Sequence, residues 1–290
     1  MKPAPFAYHD PRSKSDVLAL LAANENSRVL AGGQSLVPML NFRLAAPDHL
    51  IDLNRVADLR GITRAGDKFV LGAMTRQSEI EASDELHAAL PILREAVLNV
   101  GHRQTRNRGT IGGSLCHLDP SAELVTAAAA LEATLIAESG KGARRIAIAD
   151  WGQGYLTNAL ADGEILTAVE LPVWPAGHGH AFVEFARRHG DFAIVAVAAL
   201  LTLDANGKID RVAIAIGGCA ANPLRLTEVE AALKGNTPSA ELFKSTARLA
   251  SKIDALSDPF VKADYRKHLA RVLTERALVA AAQRAHGAKS

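Results

Sequence analysis

The chain twice sets a glycine pair beside small hydroxyl residues: Gly32-Gly33 in LAGGQSLVPML and Gly112-Gly113 in RNRGTIGGSL. Neither pair suits a helix interior, where each glycine costs roughly 1 kcal/mol relative to alanine. Neither suits a strand interior, where it brings no side chain to pack. Backbone left bare in this way serves tight turns and close approach. The first pair follows a predicted strand, SRVL, and leads into Gln34 and Ser35, an amide and a hydroxyl. The second lies between Thr110 and Ser114, with Arg106 and Arg108 just upstream. Consecutive N–H groups at such turns converge on anions, and guanidinium suits phosphate oxygens. Taken singly, the first loop also reads as a tight surface turn, and the arginines as a solvated face or as partners of carboxylates. As a pair, the loops point to a ligand with two phosphates, whose oxygens can occupy donors from both.

The loops also exclude familiar solutions. No GK[ST] follows either pair, so neither is a P-loop, and neither is GxGxxG, so a Rossmann site is unsupported. A net charge of +2 does not argue for nucleic acid as a partner. Cys116 and Cys219 lie far apart and in no CxxC pattern, so they cannot alone hold an iron–sulfur cluster or a structural zinc. None of the histidines falls in an HxxxH or HExxH pattern, so no metal site and no catalytic base are expected. The opening MKPAPFAYHDPRSKSD has no apolar core for a signal peptide, and the run FAIVAVAALLTL is too short to span a bilayer. These features together predict a cytoplasmic protein.

Periodicity predicts a first helix over SKSDVLALLAANEN, strands at SRVL, HLIDL and GDKFVLGAMT, and two helices over RQSEIEASDELHAALPILREAVLNV, the second opened by Pro91. SAELVTAAAALEATLIAES reads as helix and then strand. RRIAIADW, EILTAVELPV, AFVEFARR, FAIVAVAALLTLD and KIDRVAIAIGG read as strands, the last two joined by a hairpin at Asn206-Gly207. Beyond NPLRLTEVEAAL the tail reads as helical. Proline and glycine cluster in PVWPAGHGH, which places a domain boundary near residue 177. The expected division is 1–177 and 178–290.

Four stretches, AGGQSLVPMLNFRLAAPDHLIDLNR, RNRGTIGGSLCHLDPSAEL, RHGDFAIVAVAA and AIGGCAANPLR, together resemble the FAD-binding medium subunits of molybdenum hydroxylases, the carbon monoxide dehydrogenase and xanthine dehydrogenase family. The resemblance runs in order along nearly the whole chain. It implies an α+β fold: a bipartite FAD-binding domain of the PCMH, vanillyl-alcohol oxidase-like type, then a smaller domain of antiparallel sheet and helices. It implies that Val29, Leu30, Ala31, Gly32, Gly33, Gln34, Ser35 and Leu36 wrap the FAD pyrophosphate together with Thr110, Ile111, Gly112, Gly113 and Ser114. It carries Gly101 over as a backbone position near the flavin, and Glu123 as a carboxylate meeting ribose or ribityl hydroxyls. Val169 would border the adenine or pyrophosphate, Arg187 would lie near the flavin, and Phe192 would pack on the isoalloxazine. From the residues alone, Glu123 reads equally as a helix N-terminal carboxylate, and Val169 and Phe192 as core residues.

The resemblance further implies a division of labour. A large subunit with a molybdopterin cofactor oxidises the substrate, and a small subunit with [2Fe–2S] clusters relays electrons. This chain's FAD collects them for NAD⁺, a quinone, another carrier or O₂. A dimer of heterotrimers is the implied assembly. Two rivals stand beside this reading: a self-contained flavin oxidase of the same broad fold, and a non-redox module binding a nucleotide.

Overall fold

The computed structural model describes residues 1–287. Its first unit is a three-stranded parallel sheet in which His49–Asp52 lies between Ala7–His9 and Ser27–Leu30. The Lys14–Ala23 helix makes the crossover. Ser13 caps it, its hydroxyl accepting the Asp16 N–H at 3.1 Å. Val17 is driven into a small core with Ile51, Leu53, Val56, Leu59 and Met74. The Ser27–Leu30 strand therefore ends with its next residues at the carboxyl edge of a parallel sheet, where open α/β sheets characteristically receive ligands.

The second unit is a five-stranded antiparallel sheet. Its central strand, Ile165–Pro172, pairs with Lys68–Gly72 on one side and Thr134–Ser139 on the other, with Ile62–Ala65 and Gly142–Ala147 at the edges. All the helices between Gln77 and Ala130 are inserted between two of its strands. The expected pair of helices over 77–99 is three: Gln77–Ala82, Asp84–Ala89 and Pro91–Asn99. The extra break falls at Ser83, whose hydroxyl caps the next helix by accepting the Leu86 N–H at 3.3 Å.

The third unit is the antiparallel sheet Gly179–Phe185, Val195–Leu203, Ile209–Gly217 and Leu224–Arg225. Helices Thr227–Leu233, Ala240–Ala247 and Ala263–Gly287 follow in chain order, so the tail expected to be helical is interrupted by the stretches 234–239 and 253–262. The near-continuous apolar run in this sheet has a simple cause, because both faces are buried. Val195, Val197, Ala199 and Leu201 pack with the C-terminal helices. Ala196, Ala198, Leu200, Ala213 and Ala215 join Phe182 in the core formed with the preceding units. Alanine on that face lets the Glu123–Ala130 helix approach closely, and Gly217 completes the fit, since a Cβ there would collide with the Thr126 hydroxyl. The predicted hairpin is present, with Gly207 at φ +74°.

One carboxylate on the inserted Pro91–Asn99 helix ties that helix to the third unit. Glu95 accepts the Phe182 N–H at 2.8 Å and pairs with Arg284 at 2.7 Å and with the His180 ring at 3.2 Å. Burial opposes its charge. The hydrogen bonds from His180 and from the Phe182 N–H outweigh that penalty and hold the carboxyl below its usual range.

Candidate cofactor-binding site

The two glycine pairs meet. A Cβ on Gly32 would run into the carbonyl of Arg108 and the Cα of Gly109, and one on Gly113 would come within 3.4 Å of the Ala31 methyl. The absent side chain of Gly32 therefore lets two distant segments touch, backbone to backbone, while that of Gly113 leaves room for the Thr110 hydroxyl, 2.8 Å from where a Cβ would stand. The two segments close one end of a cavity of about 1010 Å³ that runs between the parallel sheet, the inserted helices and the start of the C-terminal sheet. That is the upper end of the range for small-molecule and cofactor sites, roughly 300–1000 Å³.

In the first loop Gly33 takes φ +75°, a conformation that favours glycine. Its carbonyl accepts the Val37 N–H at 3.0 Å and so begins the Leu36–Asn41 helix. The Asn54 carboxamide anchors the strand end by donating to the Ala31 carbonyl at 3.0 Å. Among the described residues, no backbone N–H from Gly32 to Ser35 finds a protein acceptor, and all four residues line the cavity. Four consecutive unpaired donors in a cavity wall are the kind of group that can hold an anion. Val29, Ala31 and Leu36 line the same wall, while Leu30 does not.

The second pair differs from expectation. Gly112 and Gly113 lie in the first turn of a helix, Ile111–His117, with Thr110 as its cap. Their amides are not bare. Gly112 N–H donates to the Ala73 carbonyl at 2.9 Å, and Gly113 N–H donates to the Thr110 hydroxyl at 3.0 Å. Ile111 N–H donates to the Thr75 carbonyl at 3.1 Å. Glycine is tolerated here because the helix begins here. Gly112 is needed because a Cβ would stand 2.6 Å from the Ala73 carbonyl oxygen. Thr110, Gly112, Gly113 and Ser114 line the cavity, and Ile111 is buried beneath it. What this segment still offers a ligand is hydroxyl groups and closeness, rather than free amides.

The upstream arginines are also reassigned. Arg106 is buried and paired with Glu81, its Nε donating to Oε2 at 2.7 Å, and it adds a bond to the Val100 carbonyl at 3.2 Å. Arg108 is exposed, and its carbonyl, not its guanidinium, meets the neighbouring structure by accepting from Arg76. Neither side chain reaches the cavity wall.

Glu123 lines the cavity and is the first residue of the Glu123–Ala130 helix. Burial is the main cause that pushes its carboxyl up to about 7, and nearby Asp119 adds to it. Its own backbone N–H, which works against the shift, donates to the carboxyl, and a hydroxyl-rich ligand would supply further donors. Gly101, at φ +46°, reaches the cavity beside Gly190, where an added Cβ would stand 3.0 Å from the Gly101 carbonyl oxygen. Phe192 is 66 % exposed and lines the cavity, so it is not a core residue.

Two expected contacts fall elsewhere. Val169 is fully buried in the central sheet strand, paired with Leu71 and Leu135. The sequence run fitted core and cofactor contact alike, and strand register decides for the core. Arg187 points its guanidinium over the Phe260 ring, 5.5 Å from its centre, away from the cavity wall. Sequence reasoning missed Gln77, Asn158 and Asp191, which the fold brings to the wall. Gln77 and Asn158 sit outside any motif, and no local signal could have found them. Asp191 follows the Gly190 turn, which could have marked it.

A cavity of this size with unpaired amides in its wall suits a phosphate-bearing cofactor, and comparison with known proteins gives the class, a flavin-binding subunit of the molybdenum hydroxylase type. Residues 4–174 match the FAD binding domain in molybdopterin dehydrogenase, and residues 180–281 match the CO dehydrogenase flavoprotein C-terminal domain. The carbon monoxide dehydrogenase medium chain of Afipia carboxidovorans is 39 % identical, over 98 % of this chain and 99 % of that one. The 6-hydroxypseudooxynicotine dehydrogenase complex subunit alpha of Paenarthrobacter nicotinovorans is 39 % identical, over 100 % of this chain and 98 % of that one. A carbon monoxide dehydrogenase structure from Hydrogenophaga pseudoflava superposes with a TM-score of 0.95 at 35 % identity, over 98 % of this chain and 99 % of that chain. The chain belongs to the family of FAD-binding medium subunits of molybdenum hydroxylases, and is an oxidoreductase subunit. Among the described residues, no helix is long and apolar enough to cross a membrane.

Proposed function

We propose that this chain is the electron-transfer subunit of a heterotrimeric molybdenum hydroxylase. In this reading it takes electrons from [2Fe–2S] clusters of a small partner and passes them to NAD⁺, a quinone, another carrier or O₂. A large partner carries molybdopterin and oxidises the substrate, and the complex is a cytoplasmic dimer of heterotrimers. The observation that carries the cofactor assignment is the row of unpaired amides from Gly32 to Ser35, facing a cavity closed by the second glycine pair. FAD, when bound, supplies the junction between one-electron and two-electron transfer.

The chain's own residues then have distinct tasks. The first-loop amides and the Ser35 hydroxyl hold the pyrophosphate. Thr110 and Ser114 add hydroxyl donors, Thr110 doing so while its oxygen still accepts from Gly113. Glu123 receives sugar or ribityl hydroxyls, and Phe192 covers the ring system and excludes water. Gly101 gives the backbone close access beside it. Leu30, Ile111 and Val169 support these groups from behind. Residues 1–177 form the flavin domain and 178–290 the second domain, a division supported by the proline- and glycine-rich connection and by the adjoining family matches.

The test is purification from the native cell under mild conditions, with flavin absorbance, metal analysis and mass spectrometry of the accompanying chains. The proposal expects FAD, molybdenum, iron and two further chains. A colourless chain that stays so after incubation with FAD would contradict it.

A further inference from the structure

Arg266 is a buried cation that no task described so far requires. It lies in the first turn of the Ala263–Gly287 helix and is only 8 % exposed. A positive charge at a helix N-terminus runs against the macrodipole, and a guanidinium taken out of water is costly unless its donors are used. Here they are used chiefly on backbone. Nη1 donates to the Ile194 carbonyl at 2.6 Å and to the Gly218 carbonyl at 2.5 Å, and Nη2 donates to the Asp258 carboxylate. Asp258 in turn accepts the N–H groups of Phe260 and Val261 at 2.7 and 2.8 Å.

The two carbonyls belong to segments tied to the cavity. Ile194 follows closely on Phe192, which lines the wall with Gly190 and Asp191. Gly218 donates its N–H to the Pro120 carbonyl at 2.7 Å, in the stretch that brings Asp119, Ala122 and Glu123 to the wall. Gly218 takes φ +80°, and a Cβ there would stand 2.5 Å from the Ile194 carbonyl oxygen. The turn is therefore pressed against the Phe192 segment, and two carbonyl oxygens converge on one nitrogen. Their like partial charges repel unless a cation lies between them, and a guanidinium offers its donors in fixed directions. Arg266 does not itself reach the wall. It completes a chain of bonds from the Phe192 segment through Gly218 to Pro120, which joins two stretches of wall from different units.

Resting on the cofactor reading above, we propose that Arg266 is a positioning residue for the cofactor: its guanidinium holds the Phe192 segment against the stretch that carries Glu123, and so sets Phe192 over the ring system of the bound flavin. The test is titration of the full apo chain with FAD and, separately, with ADP, which has the diphosphate but no flavin ring. The variants are Arg266→Met, which keeps the stem and removes the clamp, Phe192→Ala, and the two combined. Arg266→Met is expected to weaken FAD by roughly tenfold, to leave ADP affinity unchanged, and to open the bound flavin to iodide quenching. In the Phe192→Ala background, Arg266→Met should weaken FAD no further, because both changes remove the same contact. Asp258→Asn keeps an acceptor for Phe260 and Val261 but turns an amide toward the guanidinium. It gives the same test should Arg266→Met fail to fold, with an expected FAD loss of about threefold and ADP again unchanged. Unchanged FAD affinity, equal losses of FAD and ADP, or a full additional loss in the Phe192→Ala background would each overturn the assignment. A natural chain that binds neither ligand would overturn the cofactor reading, and this proposal with it, a result distinct from the others.

Discussion

The two glycine pairs look alike in sequence and do opposite work. At Gly32-Gly33 the chain leaves its amides unpaired at the cavity wall. At Gly112-Gly113 the amides are consumed by Ala73 and Thr110, and the glycines exist so that backbone can touch backbone. In the proposed function one pair is a receptor and the other a spacer that brings the receptor's far wall into place. A glycine motif therefore signals close approach, and only the hydrogen-bond pattern decides what approaches.

The comparison can be broken most forcefully at the spacer. Gly112→Val should destabilise the apo chain by about 3 kcal/mol or more, because its branched side chain would meet Ala73 backbone that cannot move aside. Thermal melting without ligand reads this loss, and a melt like that of the natural protein would deny the spacer role. Gly33→Val acts on the receptor. Its positive φ makes a β-branched residue strained by about 1–2 kcal/mol, a smaller apo loss, while FAD affinity should fall at least a hundredfold in titration. Equal effects of the two variants on apo stability and affinity would erase the distinction between the loops.

Thr110→Ala sharpens it. Loss of the cap to Gly113 N–H should cost about 1 kcal/mol of stability, with Thr110→Ser restoring most of it in denaturant melts. The last effect is electrostatic. Burial raises Glu123 to about 7 and Glu184 to about 8, from 4.5. The folded state then holds protons that the unfolded chain releases, so these groups make stability fall as pH rises from about 4.5 to about 8. Melting temperature against pH should show this decline in the apo chain, and Glu184→Gln should flatten its upper part. A slope unaltered in the variant would remove Glu184 from the account.

Much of the fold was legible because its signals are local. The apolar strands, the Asn206-Gly207 hairpin and the proline at Pro91 each act within a few residues. The cofactor class was legible because glycine and hydroxyl residues recur in a pattern that the family resemblance made specific. The second glycine segment was read as a loop, since glycine is a poor helix former. Thr110 as cap overrides that propensity for a first turn, and Thr followed by an apolar residue was the available cue. The pairing of Arg106 with Glu81 and the approach of Gln77 to Gly109 are contacts between remote segments. No spacing in the chain encodes them, because they follow from how the inserted helices fold back on the first loop.

The most direct measurement is amide hydrogen exchange across both loops in the apo chain and with saturating FAD. The account predicts that the Gly32–Ser35 amides exchange freely without ligand and become protected with it, while those of Gly112 and Gly113 are protected in both states. Strong protection of the first loop in the apo chain, or ligand-induced protection confined to the second, would contradict it.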